Sequence, residues 1–193
     1  MNCWKSINFN KEFGMKRLYF MSFLIGLIAF ILLYVPASIA HDGHHAKESG
    51  MFAFMVALVM LPSLHSFMHV IPILAINKRA KLKYKTRSKL FPIFTYYTDS
   101  HLTKKVSLIV ALAPTFFITM PGIFASYIFP NYYAYILLFT CTNIGISFVD
   151  FLYVSHIIRA PKKSFIESGN DGFDILLEAN NSPHTPSPSY ELD

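Results

Sequence analysis

The chain has 193 residues, of which 53% are hydrophobic and only 15% are charged. Soluble domains carry about 25% charged residues, so the composition excludes an ordinary soluble protein and indicates an integral membrane protein with one compact bundle. The net charge of +6 is a weak argument for nucleic acid binding. The basic residues lie beside apolar runs, which favours a membrane topology signal and no nucleic acid partner.

Four apolar runs predict four transmembrane helices, because each exceeds the roughly 20 residues that cross a bilayer. These runs cover residues 18–40, 50–76, 106–129 and 134–158. The first run has a rival interpretation as a secretory signal peptide. Its length is greater than the usual apolar core of about 7–15 residues, which favours an uncleaved span. The sequence therefore predicts an all-α membrane bundle over residues 18–163, with helices kinked by prolines.

A short polar loop between the first two runs holds three histidines. They are His41, His44 and His45. A histidine-rich loop can bind a metal weakly. A solvated loop is the preferred interpretation here, because no neighbouring residue fixes a binding geometry.

The basic residues predict the orientation of the bundle. The loop at residues 77–105 carries nine lysines and arginines, whereas the predicted opposite side holds Lys47 alone. Cytoplasmic loops are enriched in such residues, so the N-terminal segment 1–17, this loop and the tail 164–193 are expected in the cytoplasm, with the protein in the cell membrane. The loop is expected to contact anionic headgroups. The polar tail is expected to be largely disordered, apart from a short element near residues 172–177.

Two histidines, His65 and His69, lie four residues apart inside the second apolar run. On a helix that spacing places both side chains on one face, about one turn apart. Pro62 and Pro72 flank the pair, and they fit either a helix bent around a polar site or ordinary packing kinks. Ionisable groups at membrane depth are costly and are functional candidates.

Asp150 is the only acidic residue within the four predicted spans. Counting residues from the span ends places His69 and Asp150 both about 10–12 Å inside the same boundary. Asn143 and Ser147 share a helical face with Asp150 and can supply supporting hydrogen bonds. His156 lies near the boundary, where it can reach water, and is not included in the site.

Two histidines and one carboxylate can serve as the three protein ligands of a zinc site that keeps a position open. A buried polar cluster, in which Asp150 pairs with His65 or His69 without metal, explains the same residues equally well. The residues alone leave both interpretations open.

Several short stretches resemble the DUF3267-type zincin membrane peptidase family, which is related in layout to the site-2 intramembrane metalloproteases. The matching stretches are residues 64–69 followed by the basic loop, Ala113-Pro114, residues 143–150 and, more weakly, residues 171–175. Together they cover roughly residues 51–177. The resemblance implies zinc ligation by His65 and His69, with Asp150 as the third ligand.

The sequence departs from this family at Ser66, which stands where the His-Glu-x-x-His motif has its glutamate. That glutamate transfers protons during peptide hydrolysis, and a serine hydroxyl is too weak a base to replace it. This departure therefore predicts a degenerate member that has lost most or all peptidase activity, retains the His/His/Asp polar or metal site, and has a binding or assembly role with a membrane-protein partner. The alternative is an active zinc-dependent intramembrane peptidase with an atypical base, and a transporter is a distant third.

Overall fold

The computed structural model describes residues 2–42, 50–76, 82–86, 94–98, 102–168 and 172–177. Helices dominate it, as predicted. They are α1 (Phe9–Glu12), α2 (Met15–Ala40), α3 (Met51–Ile76), α4 (Lys104–Pro114), a π-helical turn (Thr115–Thr119), α5 (Met120–Ile128), α6 (Tyr133–Ile146) and α7 (Phe148–Arg159).

Three stretches are long and apolar enough to cross a membrane: α2, α3, and the continuous helix from Lys104 to Ile128. The fourth predicted span is a pair of helices, α6 and α7, which meet at Ser147 with a bend of 43°. The described residues therefore contain three candidate membrane spans, or four when the bent pair counts as one. This confirms the predicted membrane character of the bundle.

Large apolar side chains cover the outside of these helices. On α2, Phe23 is 69% exposed and Leu32 is 68% exposed, and Phe52 on α3 is 81% exposed. Helices that are apolar on every side are stable where lipid replaces water. The outer surface of the bundle is therefore suited to a bilayer.

Helix α2 packs closely against α6 through two glycines. A Cβ atom added to Gly145 would lie 2.7 Å from the carbonyl oxygen of Ser22, and one added to Gly26 would lie 3.1 Å from that of Cys141. Small residues allow membrane helices to approach this closely and to gain dispersion contacts that lipid would otherwise supply. The contact fixes α6 just before the bend that leads into α7.

A small antiparallel sheet was not predicted, so the all-α description is wrong in this respect. The strands are β1 (Asn2–Asn8), β2 (Leu82–Thr86), β3 (Phe94–Thr98), β4 (Leu102–Thr103), β5 (Ser164–Ser168) and β6 (Gly172–Leu177). The sheet has the strand order β1-β6-β5-β4, and a separate hairpin pairs β2 with β3. The pairing joins distant segments, with Asn2 opposite Leu177, so local sequence patterns carry little trace of it.

The sheet packs on one end of the helical bundle. Ile7, Phe173 and Ile175 form a buried cluster with Ile157 near the end of α7. The Lys104 ammonium donates hydrogen bonds to the carbonyl oxygens of Ile158 and Ala160, at 2.8 and 2.5 Å. This contact joins the start of α4 to the end of α7. It also stabilises α7, because a cation interacts favourably with a helix C-terminus.

The sheet and the separate hairpin change the description of three predicted polar segments. The N-terminal segment supplies β1, the basic loop supplies the β2–β3 hairpin, and the tail supplies β5 and β6. The remainder of the predicted disordered tail, residues 169–171 and 178–193, lies outside the described residues. The cytoplasmic orientation of these segments stays a prediction.

Candidate metal centre

Helix α3 carries His65 and His69 on its inner face. Their side chains are buried, with residue exposures of 6% and 8%, whereas Phe67 on the outer face is 57% exposed. The two rings meet edge to face, with centroids 5.1 Å apart. The spacing of four residues therefore brings both imidazoles to one buried place, as the sequence predicts.

Asp150 approaches both imidazoles from α7. Its Oδ2 atom lies 3.1 Å from His65 Nε2, and its Oδ1 atom lies 3.5 Å from His69 Nε2. The residue belongs to the first turn of α7, immediately after the bend at Ser147. A helix N-terminus stabilises a carboxylate, so the bend provides a favourable position for this charge.

A hydrogen bond to Asn143 fixes the orientation of His65. His65 Nδ1 lies 3.0 Å from Asn143 Oδ1. The amide nitrogen of Asn143 donates to Thr119 Oγ1 at 3.0 Å and to the Pro114 carbonyl oxygen at 3.4 Å. Because a carbonyl can only accept, these bonds place the amide oxygen toward His65. His65 Nδ1 therefore carries the proton.

A backbone carbonyl fixes the orientation of His69. His69 Nδ1 donates a hydrogen bond of 2.7 Å to the carbonyl oxygen of Val110. In a regular helix this oxygen would accept the N–H of residue 114, but Pro114 has no N–H. The proline thus frees the carbonyl that orients His69. Such outer hydrogen bonds set the tautomer of histidines that bind metals.

These bonds leave three acceptors facing one another. With both Nδ1 atoms protonated, each neutral imidazole presents the lone pair of its Nε2 atom to the Asp150 carboxylate. The three ligand atoms lie within 4.8 Å of one another. A tetrahedral zinc ion, bound at 2.0–2.2 Å, needs ligand atoms about 3.3 Å apart. The donor set and its spacing fit zinc. Without a metal, the two lone pairs and the carboxylate repel one another, and a proton on the Nε2 atom of one imidazole would relieve that repulsion.

A family model described as "putative zincin peptidase" (DUF3267) matches residues 57–165, which is more than half of the chain. The chain belongs to this zincin family. The match covers His65, His69 and Asp150, together with the groups that orient the two imidazoles. No curated protein and no solved structure matches the chain.

The departure from the zincin motif at Ser66 lies within this geometry. Ser66 follows His65 on α3 and is half-buried. Asp150 is the only carboxylate in the four predicted spans, and it already faces both imidazoles. The structure therefore offers no second membrane-embedded carboxylate for the task of the motif glutamate among its described residues.

Ser147 was predicted to support the site through its side chain, but its hydroxyl forms no hydrogen bond with the described part of the chain. The residue is fully buried. Its backbone N–H donates to the Asn143 carbonyl oxygen at 2.8 Å, at the bend between α6 and α7. The helical face predicted to join Asn143 to Asp150 is interrupted there. The sequence does not predict the orienting roles of Val110, Pro114 and Thr119. The available signal was Pro114, which leaves the carbonyl oxygen of Val110, four residues earlier, without its helical N–H partner.

The other predicted histidines lie elsewhere. His41 Nε2 donates to the Ser126 carbonyl oxygen at 2.9 Å, and its ring packs against Tyr133. His156 packs near Phe9 and Phe173 under the sheet. His44 and His45 fall outside the described residues, so their suggested weak metal binding stays a prediction.

Proposed function

We propose that His65, His69 and Asp150 hold a zinc ion, and that this zincin-family membrane protein binds or assembles with a partner polypeptide without the family's usual proteolysis. The observation that carries the proposal is the convergence of two imidazole lone pairs on a carboxylate, with both Nδ1 protons already donated elsewhere. Neutral imidazoles in this arrangement repel the carboxylate, and a divalent cation would turn all three groups into ligands.

The chemistry available at such a site supports binding over hydrolysis. When bound, zinc supplies a Lewis acid that polarises a carbonyl oxygen. His65 and His69 would hold it through Nε2, and Asp150 through a carboxylate oxygen. General acid–base catalysis is typically worth about 10²–10⁴ in rate, and Ser66 cannot supply it. A polypeptide carbonyl would therefore be held at the site and cleaved slowly or not at all.

Metal analysis tests the zinc proposal directly. We expect about one zinc per chain in wild-type protein purified in detergent, measured by mass spectrometry of the metal. Wild-type protein without zinc, after purification in zinc-containing buffer, would contradict the proposal and leave the metal-free polar cluster.

The substitution Ser66→Glu tests why proteolysis is weak. It restores the motif glutamate beside His65, so we expect it to create or raise cleavage of a membrane-embedded peptide. Ser63→Glu, three residues earlier on the same helix, is the matched control and should not. Failure of Ser66→Glu to change cleavage in zinc-loaded protein would show that more than the base has been lost.

One observation favours the second candidate, an active peptidase with an atypical base. Asp150 Oδ2 is buried, and its neighbour His65 Nε2, 3.1 Å away, offers it a lone pair and not a proton when the His65 proton is on Nδ1. A carboxylate oxygen with a free lone pair can accept a proton, so Asp150 would be the base. Cleavage by wild-type protein that His65→Ala abolishes would establish this candidate.

We also propose that both termini and the basic loop face the cytoplasm of the cell membrane, where the loop meets anionic headgroups. The support is the distribution of lysine and arginine along the sequence. Two native cysteines allow a test, because Cys3 is exposed and Cys141 is buried. A membrane-impermeant maleimide should label Cys3 only after the cytoplasmic side is opened. Labelling of Cys3 in intact cells would contradict the proposed orientation and place the N-terminal segment outside.

A further inference from the structure

A cavity of about 160 Å³ lies beside the three candidate ligands. His69, Asp150 and the Ser107 side chain line it, together with apolar residues that include Ala111 and Val149. Phe9 of α1 and Leu102 of β4 line it from the segments next to the sheet. The cavity thus has polar groups from the candidate centre and apolar groups from the surrounding helices and cap.

The Ser107 hydroxyl is the unusual group in this cavity. The residue is 1% exposed, and its Oγ atom has no hydrogen-bond partner among the described residues. Other helical hydroxyls, such as those of Thr140 and Ser155, donate to a carbonyl of their own helix. A buried hydroxyl without a partner destabilises the folded protein. That destabilisation is removed if a ligand in the cavity accepts the hydroxyl proton.

The size of the cavity limits what it can hold. An apolar protein cavity of about 150 Å³ accommodates a benzene molecule. The present cavity is therefore large enough for one side chain of four to seven carbons, and too small for a lipid acyl chain. Polar groups on one part of its wall suit an apolar side chain that is attached to an amide.

We propose that this cavity binds one leucine- to phenylalanine-sized side chain of a polypeptide held at the metal centre, and that the Ser107 hydroxyl donates a hydrogen bond to that polypeptide's carbonyl oxygen. The proposal rests on the proposed zinc function. It adds the residue class that the site selects and assigns Ser107 as a binding residue.

The test compares two probes that share a zinc-binding group. N-acetyl-leucine hydroxamate and N-acetyl-glycine hydroxamate differ only in the isobutyl side chain, so the ratio of their affinities reports the cavity and not the metal. Burying that side chain should favour the leucine probe by roughly 10- to 100-fold in zinc-loaded wild-type protein. Titration calorimetry in detergent gives both affinities.

Ala111→Leu fills the cavity, and Ala113→Leu is its control because Ala113 is equally buried on α4 but does not line the cavity. We expect the ratio to fall toward 1 in Ala111→Leu and to persist in Ala113→Leu, with zinc content unchanged in both. An unchanged ratio in zinc-loaded Ala111→Leu overturns the cavity assignment. Absence of zinc in wild-type protein overturns the proposed function instead, and the metal content reports this separately.

Two further variants keep the proposal testable if Ala111→Leu does not fold. Val149→Ala enlarges the cavity, so a third probe, N-acetyl-phenylalanine hydroxamate, should gain affinity relative to the leucine probe. An unchanged ratio of these two affinities contradicts the assignment. Ser107→Ala should weaken the leucine and glycine probes equally, by about 3- to 10-fold. Thr115→Val removes another buried hydroxyl, outside the cavity, for which the described residues supply no partner, and it should leave both affinities unchanged. Equal binding by Ser107→Ala and wild type would remove Ser107 from the site.

Discussion

His69 and His41 lie toward opposite ends of the bundle and share one local feature. Each imidazole donates to the carbonyl oxygen of a residue four positions before a proline: Val110 before Pro114 for His69, and Ser126 before Pro130 for His41. In both cases the proline cannot supply the N–H that a continuing helix would offer that oxygen. The chain therefore uses the same means twice to orient a histidine.

The surroundings of the two rings differ. The Nε2 atom of His69 faces the Asp150 carboxylate beside a second imidazole, whereas the ring of His41 packs against Tyr127 and Tyr133. Among the described residues, His69 belongs to a group of three potential metal ligands and His41 does not. A freed carbonyl thus orients an imidazole, but the convergence of further acceptors is what makes a candidate metal centre.

The largest expected effect separates these two histidines directly. His69→Ala removes one of three ligands, so zinc affinity should fall by more than about 100-fold, beyond the loss typical for outer-shell changes. His41→Ala removes the equivalent contact at the other end and should leave zinc affinity unchanged. Competition with a chelator of known affinity measures both values. Equal loss in the two variants would break the comparison and point to a general defect in folding.

An intermediate effect is expected at Asn143, which orients His65. Asn143→Leu leaves the His65 Nδ1–H without its acceptor, so zinc affinity should fall by about 10- to 100-fold. The neighbouring variant Thr142→Val is the control, because the Thr142 hydroxyl donates to the Leu138 carbonyl oxygen of its own helix. Wild-type zinc affinity in folded Asn143→Leu would show that the amide does not act through His65.

The part of the site that was predictable from sequence is the part carried by side chains. The apolar runs locate the helices, and counting residues from their ends places His69 and Asp150 at the same depth. The structure brings these two side chains within 3.5 Å. The bend at Ser147 and the contribution of the Val110 carbonyl were not predictable in the same way, because every residue carries a backbone carbonyl and helical spacing alone does not mark a bend.

The sheet illustrates a different limit. Strands β1 and β6 pair across almost the whole chain, with Ile7 opposite Phe173. Each strand is short, and the cluster that buries Ile7, Phe173 and Ile175 combines residues from both ends of the sequence with Ile157 of α7. A window of local sequence contains neither the partner strand nor the covering helix. The sequence therefore predicts a short element near residues 172–177, where β6 lies, but no strand in the N-terminal segment and no pairing between the two.

The smallest expected change in zinc affinity tests the role of the proline that frees the carbonyl oxygen beside each histidine. Pro114→Ala restores an N–H that can donate to the Val110 oxygen, so His69 must share its acceptor. The carbonyl has two lone pairs and can still accept from His69. We therefore expect zinc affinity to fall by only about 3- to 10-fold, less than when an orienting group is removed altogether. Pro130→Ala restores the matching N–H near His41 and should leave zinc affinity unchanged.

The stability of the metal-free protein decides how Pro114 acts. Proline in a helix costs a hydrogen bond, so Pro114→Ala should raise, and not lower, the melting temperature of the zinc-free protein while weakening zinc binding. A purely structural role for the proline would move both quantities in the same direction. Opposite signs, measured on one sample by calorimetry and chelator competition, would show that the chain gives up helical stability to orient His69. A parallel fall in both would assign Pro114 to packing and leave Val110 as an incidental acceptor.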